Sequence, residues 1–321
     1  MILNQIKSIA ISYFRLLRIP NLIIVGVTQY IIYHLLISTS FTVHVISGSF
    51  NRLDLFLFIL TTLCITAGGY IINDIYDIKT DKINKPLSRV INQRISVKSG
   101  WFLYVSSTIS GAFIAFYLAI QREEISYWFL YPTSVFLLFA YSKWLKAMPL
   151  IGNILVSLFC GAVPGIFYLS EYTGIKKLSQ INIIASNNLK TILFSYVVFA
   201  FLTNLIREIV KDLQDEKGDR ISKLNTTVVF WGQKTSKRIA FIIAIISSFI
   251  INYTFFLPLF VKIPYLYFLH IIFIQLPLLI CMINLYQAKV DDEFKRIGVW
   301  IKIIMVNGLF LVTYIISLQN G

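Results

Sequence analysis

The sequence predicts an all-α, polytopic membrane protein of about nine transmembrane helices. Three observations carry that expectation. Of its 321 residues, 57% are hydrophobic, and the mean hydropathy is +0.75. Only 14% are charged, against roughly 25% in soluble domains, too few to cover a compact soluble core. Apolar runs also recur at about the 20-residue length that crosses a bilayer.

Charged loops separate these runs and set the spans in order. The first, 19–39, follows a short basic segment. It is long enough to span and no small-residue cleavage pattern follows it, so it reads as a span and not as a signal peptide. The others fall at 54–73, 99–119, 125–142, 148–170, 189–206, 239–257, 263–286 and 297–317. Placing the N-terminus in the cytoplasm puts 23 of the 29 Lys and Arg residues on one side, in the N-terminal segment and in loops 76–98, 143–146, 207–238 and 287–302. The opposite side holds Arg52, Arg122, Lys176, Lys177, Lys190 and Lys262. That asymmetry satisfies the positive-inside rule and makes most of the +14 net charge topological, with no call for nucleic acid. The expected location is the plasma (inner) membrane, with the N-terminus and the acidic loops cytoplasmic.

Cys64, Cys160 and Cys281 fall inside expected spans without disulfide or zinc spacing, and His34, His44 and His270 are equally scattered. Any metal chemistry must therefore use oxygen ligands. No Pro/Gly/Ser-rich linker divides the chain, so residues 1–321 read as one integral domain. A faint internal echo runs through it. Asp74, Asp77 and Asp81 recur 138 residues later as Asp212, Asp215 and Asp219, and "DKINK" at 81–85 rhymes with "DRISK" at 219–223. Two similar half-sites, near 73–89 and 204–223, would explain the match.

The acids are the strongest clue to function. Of 15 acidic residues, eight crowd into "NDIYDIKTD" (73–81) and "REIVKDLQDEKGD" (207–219), each at the end of an apolar run and both on the side assigned to the cytoplasm. On a helix, positions i, i+3 and i+7 fall within an arc of roughly 60°. Asp74, Asp77 and Asp81 therefore share a face with Asn73 beside them, and Asp212, Asp215 and Asp219 do likewise, with Glu208 and Asn204 extending the stripe. Like charges so placed repel, and Mg²⁺, held by one or two carboxylates plus substrate phosphates, suits the role of holding them. Basic residues interleave with the acids: Lys79, Lys82, Lys85 and Arg89 after the first cluster, Arg207, Lys211, Lys217, Arg220 and Lys223 around the second. A bare cation site would exclude them, whereas a metal-bridged diphosphate needs Arg and Lys donors for its outer oxygens. Lys85, Lys217 and Lys223 read as membrane-side anchors; Arg207 and Lys211 sit within the acidic turns.

"NDIYDIKTD" resembles the first aspartate-rich motif, NDxxDxxxD, of the UbiA superfamily of intramembrane prenyltransferases, and "DLQDEKGD" resembles its second, DxxDxxxD. "RLLRIPN" at 15–21, "YSKWLKAMPLIGN" at 141–153 and "GAVPG" at 161–165 match in family order. The resemblance implies a central cavity walled by the helices, two Mg²⁺ ions, a polyprenyl diphosphate donor and a lipid-soluble acceptor, with membrane lipids around the chain. It implies that Asp77, Asp81, Asp215 and Asp219 are catalytic. It also places one ion on Asn73, Asp77 and Asp81 and the other on Asp215 and Asp219, with Asp74 and Asp212 close by. Arg207, Lys211, Lys143 and Lys146 would draw charge onto the leaving diphosphate, with Lys82 and Arg89 as further substrate contacts. Asn21, Tyr141 and Asn153 match pocket positions, though each also suits an interface or helix–helix contact. Glu208 suits three roles: metal ligand, partner of Arg207, or base for an acceptor hydroxyl.

Within the superfamily, "REIVKDLQDEKGD" is most similar to the geranylgeranylglycerol-phosphate geranylgeranyltransferase branch, which implies geranylgeranylglyceryl phosphate as acceptor. "NKPLSRVINQRIS" departs from the commoner Arg-Pro-rich ending of the first loop, which keeps open an aromatic acceptor of quinone, tocopherol or tetrapyrrole biosynthesis. An ion-coupled transporter would instead place its acids at mid-span on broken helices. A soluble prenyl diphosphate synthase would lack the nine apolar spans.

The charge asymmetry yields a topology test. In intact cells, single cysteines replacing Lys85 or Lys217 should resist impermeant thiol reagents, and one replacing Lys176 should be labelled. The reverse pattern would invert the orientation.

Overall fold

The computed structural model describes residues 2–48, 50–86, 89–122, 125–255 and 264–320. Among these the chain is helical, with one isolated bridge between Ile91 and Ile95. Among the described residues eight helical segments are long and apolar enough to cross a membrane. The fourth expected span, 125–142, does form a helix, Ile125–Lys143, long enough to cross but less apolar than the other eight, with Pro132 and several Tyr and Ser residues inside it. Lys262, residues 256–257 of the seventh expected span and residue 263 of the eighth lie outside the described residues.

The helices separate into two compact units, each assembled from several stretches of chain. The first comprises residues 1–27, 49–147 and 217–224. It contains α1 (Ile2–Leu16), the start of α2 (Ile19–Ile31), α4 (Arg52–Tyr76), α5 (Ile78–Asn84), α6 (Val97–Arg122) and α7 (Ile125–Lys143); α3 belongs to the second unit. Asn51 caps α4 by accepting from the Asp54 amide at 2.9 Å, which satisfies one of the donors left open at a helix start. α4 packs on α6 and α7, and glycines let the backbones close. A Cβ on Gly111 would stand 2.6 Å from the Tyr131 hydroxyl and 2.9 Å from Cys64 Cβ. Small residues at such crossings are how helices associate in lipid, where burying apolar surface gives no drive.

The loop after α5 is where the sequence departs from the usual family ending. Its Val90, Ile91 and Ile95 pack with Leu16, Ile71, Ile72 and Ile75 in one buried cluster. Asn92, at φ 62, turns the chain so that its amide reaches the Ile95 carbonyl at 2.8 Å.

The second unit comprises residues 28–48, 148–216 and 225–321. It holds the end of α2, which continues as a π-helical stretch Ile32–Ser38, and α3 (Thr39–Val43). After these come α8 (Ile151–Ser170), the amphipathic α9 (Tyr172–Ile181) and most of α10 (Ile183–Ile221). α11 (Thr227–Phe255), α12 (Pro264–His270), a π-helical turn Ile271–Gln275, α13 (Leu276–Gln287) and α14 (Asp291–Asn320) complete it. α10 has 39 residues, about 58 Å of helix against a hydrocarbon core of about 30 Å. The expected span 189–206 is thus only its apolar middle. α11 begins twelve residues before the expected 239 and bends at Gly232, whose φ of +78° a side chain would strain.

The glycine contacts give a stability test with an internal control. Gly111→Ala should lower thermal stability in detergent by about 1–3 kcal/mol through overpacking. Gly298→Ala, on α14 with nothing within 4 Å of the new Cβ, should leave it unchanged or slightly raised.

Candidate active site

In the first unit the residues of the first acidic motif sit where α4 gives way to α5. The break is slight. Asp77 has φ −85° and ψ 4°, yet its amide still reaches the Asn73 carbonyl at 2.9 Å and the Asp81 amide reaches the Asp77 carbonyl at 2.7 Å. Asn73, Asp77 and Asp81 are buried. Asn73 donates through Nδ2 to Asp77 Oδ2 at 2.7 Å, and Lys146 ion-pairs with the same carboxylate. Burial alone would pull the Lys146 ammonium down, but the Asp77 carboxylate, Tyr141 and Asp219 more than offset it. Lys146 therefore stays protonated well beyond the ordinary lysine range.

Asp219, the last acid of the second motif, belongs to this unit and is 3% exposed. Two contacts tie its segment down: the Gly218 amide donates to Asn84 Oδ1 at 2.8 Å and Thr80 Oγ1 to Ser222 Oγ at 3.1 Å. A Cβ on Gly218 would stand 2.4 Å from that Asn84 oxygen, so glycine is what allows the approach.

The remaining acids of the first motif have their own cations. Arg18 binds Asp74 at 2.8 Å with its guanidinium 4.5 Å over the Tyr70 ring, and the Tyr70 hydroxyl accepts from Asn21 Nδ2 at 3.3 Å. Arg18 holds this pose at φ +50°, a left-handed backbone that costs a non-glycine residue energy and concentrates at functional sites. Lys85 pairs with Asp81 at 3.1 Å, so it is a partner within the motif and not the anchor expected. The shared face read from helical spacing thus becomes three carboxylates each matched to a different cation. Lys143 also differs from expectation: it is exposed, its ammonium over the Trp144 and Phe139 rings at 4.6 and 5.7 Å. Lys82 is exposed on α5, and Arg89 is half-buried in the loop beyond it.

In the second unit, α10 carries the rest of the second motif as unbroken helix. Asn153 Nδ2 donates to Asp212 Oδ2 at 3.0 Å, while its Oδ1 accepts from Thr227 Oγ1 at 2.6 Å. Thr227 Oγ1 in turn accepts from the Leu150 amide at 3.0 Å, which pins Leu150 at φ 60° just before α8. Asn204 donates to Ser157 Oγ at 3.3 Å. Glu208 is 5% exposed and is paired with Arg207 and, at 3.8 Å, with Lys211; of its three sequence roles, partner of Arg207 is the one the contacts show. Asp215 is half-buried one turn before Asp219. The two motifs are therefore unlike in structure, one at a helix junction and one inside a long helix.

The UbiA prenyltransferase family model matches residues 35–304. The chain belongs to the UbiA prenyltransferase family. It is 28% identical to a digeranylgeranylglyceryl phosphate synthase of Saccharolobus solfataricus over 93% of this chain and 94% of that one. It is 30% identical to the synthase of the same name from Sulfolobus acidocaldarius over 88% and 90%. A solved digeranylgeranylglyceryl phosphate synthase shares the fold at TM-score 0.63 and 22% identity, over 97% of this chain and 99% of that one. A UbiA homologue from Archaeoglobus fulgidus solved with DMAPP and Mg²⁺ does so at 0.56 and 16%, over 94% and 99%. The UbiA enzyme described here is thus an integral membrane prenyltransferase.

The donor set fits a hard cation. With Asn73 Nδ2 on Asp77, Asn73 Oδ1 is left buried and without a hydrogen-bond partner among the described residues, beside a carboxylate. Among the described residues no three carboxylate, imidazole or thiol groups form a ready metal cage. Mg²⁺ does not require one, since it is bound by one or two carboxylates together with substrate phosphates and water.

The Lys146–Asp77 pair is testable without turnover. Lys146→Met should destabilise the metal-free protein by about 3–5 kcal/mol, the cost of stranding a buried charge. Added Mg²⁺ should recover part of that loss in a detergent thermal melt, while wild type gains less.

Proposed function

We propose that this prenyltransferase moves a geranylgeranyl group from its diphosphate to geranylgeranylglyceryl phosphate, giving digeranylgeranylglyceryl phosphate. The observation that carries the reading is the cluster of half-buried Arg207 and Lys211 around buried Glu208, one turn before Asp212. It offers cationic donors beyond those needed to neutralise the aspartates, as an acceptor with its own phosphate requires. The names of the two synthases aligned along most of the chain support the same acceptor. The whole chain would act as a single catalytic domain, with its N-terminus and acidic segments on the cytoplasmic side.

Two Mg²⁺ ions would be held by Asn73, Asp77 and Asp81, and by Asp215 and Asp219, with Asp74 and Asp212 in support. When bound, Mg²⁺ neutralises the donor's diphosphate and makes it a better leaving group. The protein's own residues do the rest. Lys146 supplies a permanently charged ammonium beside Asp77 and can donate to a diphosphate oxygen as charge builds there. Arg18 holds Asp74, and Asn153 holds Asp212, in fixed orientation, so that little reorganisation accompanies reaction. The bond from the donor's allylic carbon to the diphosphate oxygen breaks, the acceptor hydroxyl oxygen bonds to that carbon, and the hydroxyl proton is released. Arg207 and Lys211 fix the acceptor's phosphate.

Membranes carrying the protein, given labelled geranylgeranyl diphosphate, should prenylate geranylgeranylglyceryl phosphate. Activity should vanish with EDTA, return with Mg²⁺, and be lost in Asp77→Ala and Asp215→Ala. Prenylation of a hydroxybenzoate or naphthoate with the glyceryl phosphate untouched would overturn the acceptor. Arg207→Ala should raise KM for the glyceryl phosphate about tenfold or more, with a much smaller change for the donor, since a charge-assisted contact contributes about 1.5–3 kcal/mol.

A further inference from the structure

Asp212 is held from outside the acidic motifs by a chain of hydrogen bonds that can run in one direction only. All of its members belong to the second unit. The chain begins at the Leu150 amide, which donates to Thr227 Oγ1 at 3.0 Å. Thr227 Oγ1 donates to Asn153 Oδ1 at 2.6 Å, and Asn153 Nδ2 donates to Asp212 Oδ2 at 3.0 Å. A backbone N–H can donate and never accept. The Thr227 hydroxyl must therefore accept from Leu150, which leaves its own proton for Asn153. The atom of Asn153 that faces Thr227 is thus its carbonyl oxygen, and the amide's NH₂ is turned toward Asp212.

An asparagine has no such preference by itself. Turned end for end, it would set Oδ1 against the Asp212 carboxylate, acceptor against acceptor. Thr227 opposes that turn, because its O–H would then meet an N–H. The direction of the chain comes from a backbone group, so no side-chain rotation can reverse it.

The surroundings keep the chain in place. Thr227 and Asn153 are both buried, where a hydrogen-bond network is strong when complete and costly when broken. Ser157 Oγ donates to the Asn153 carbonyl at 2.6 Å and accepts from Asn204 Nδ2 at 3.3 Å, which ties this stretch of α8 to α10 a second time. On α11, Ser236 Oγ lies 3.3 Å from the Thr227 carbonyl and 2.9 Å from that of Gly232, bracing the helix start across its bend. Gln233 Nε2 donates to Glu216 Oε2 at 2.6 Å, which holds the bend to α10.

We propose that Thr227 is a positioning residue: acting through Asn153, its hydroxyl holds the Asp212 carboxylate in the orientation from which the second acidic motif takes up Mg²⁺. The inference rests on the assignment of that motif to Mg²⁺ made above and adds a residue outside both motifs that sets its geometry. Carboxylates at metal sites are themselves oriented by hydrogen bonds, and losing such a partner weakens metal binding by roughly 10–100-fold.

The test needs no turnover. Mg²⁺ is titrated into the detergent-purified protein at fixed inorganic diphosphate, and the midpoint is read from thermal unfolding. Thr227→Val should raise that midpoint about tenfold or more, and Thr227→Ser, which restores the hydroxyl, should return it to within about threefold of wild type. Because Thr227 acts through Asp212, Asp212→Asn and Asp212→Asn/Thr227→Val should respond to Mg²⁺ alike. If Thr227→Val fails to fold, Thr227→Ala carries the same comparisons. A metal-free protein that unfolds at lower temperature with its Mg²⁺ midpoint unchanged would make Thr227 a structural residue only and overturn the assignment. So would a further loss in the Asp212→Asn background, or a serine variant no better than valine. A wild type that shows no response to Mg²⁺ would instead refute the metal site itself, so the two failures are separable.

Discussion

The structure depends on pairing the carboxylates of its first acidic motif, and Glu208, with cations as it takes them out of water. A buried charge left unpaired is so costly that the group either neutralises or finds a counter-ion, and here each acid at the first motif has found one. Asp77 has Lys146, Asp74 has Arg18 and Asp81 has Lys85, while Glu208 has Arg207 and Lys211. None of these cations lies far from its acid in space, yet Arg18 and Lys146 are 56 and 69 residues from theirs in sequence. The pairing therefore fixes tertiary structure as well as charge. It brings the residue just after α1, the α4–α5 junction and the short turn after α7 into one arrangement.

The same constraint explains why the backbone is strained where it is. Arg18 at φ +50° and Leu150 at φ 60° are both held by polar contacts to or beside the acidic motifs. Strain of roughly 1–3 kcal/mol at such positions persists only where neighbouring contacts over-determine it. Asn153 shows how: one side chain donates to Asp212 and accepts from Thr227, which also receives the Leu150 amide. Rigid placement of the acids is the return on that strain, because preorganised groups stabilise developing charge without moving.

Most of the helical architecture was legible in the sequence because hydropathy reports it directly. The errors have physical causes. Hydropathy ends where charge begins, but backbone hydrogen bonds do not, so the apolar run 189–206 continues as helix to Ile221. The segment 125–142 forms the expected helix, Ile125–Lys143, although Pro132 and its Tyr and Ser residues make it less apolar than the other spans. Spacing located the acids but neither their burial nor their partners. Lys143 and Lys146 are equivalent in sequence, and only the packing around the turn at 145–147 turns one onto Asp77 and the other onto two aromatic rings. Arg18 stood inside a quoted motif without a role, since what defines it is a contact 56 residues away. Thr227 and Asn84 gave no signal at all; they matter through hydrogen bonds to Asn153, Leu150 and Gly218.

The surplus of basic residues follows from the same chemistry. Part of the +14 charge orients the chain in the membrane, but orientation needs no buried cations. Lys146 and Arg207 are 17% and 22% exposed at their side chains, shielded enough from water for their fields to act at close range. Under the proposed function, metal binding at a paired carboxylate would free its cation for the next anion to arrive, the donor's diphosphate or the acceptor's phosphate. Pairs that stabilise the resting protein would then double as the groups that receive its ligands, which acids alone could not do.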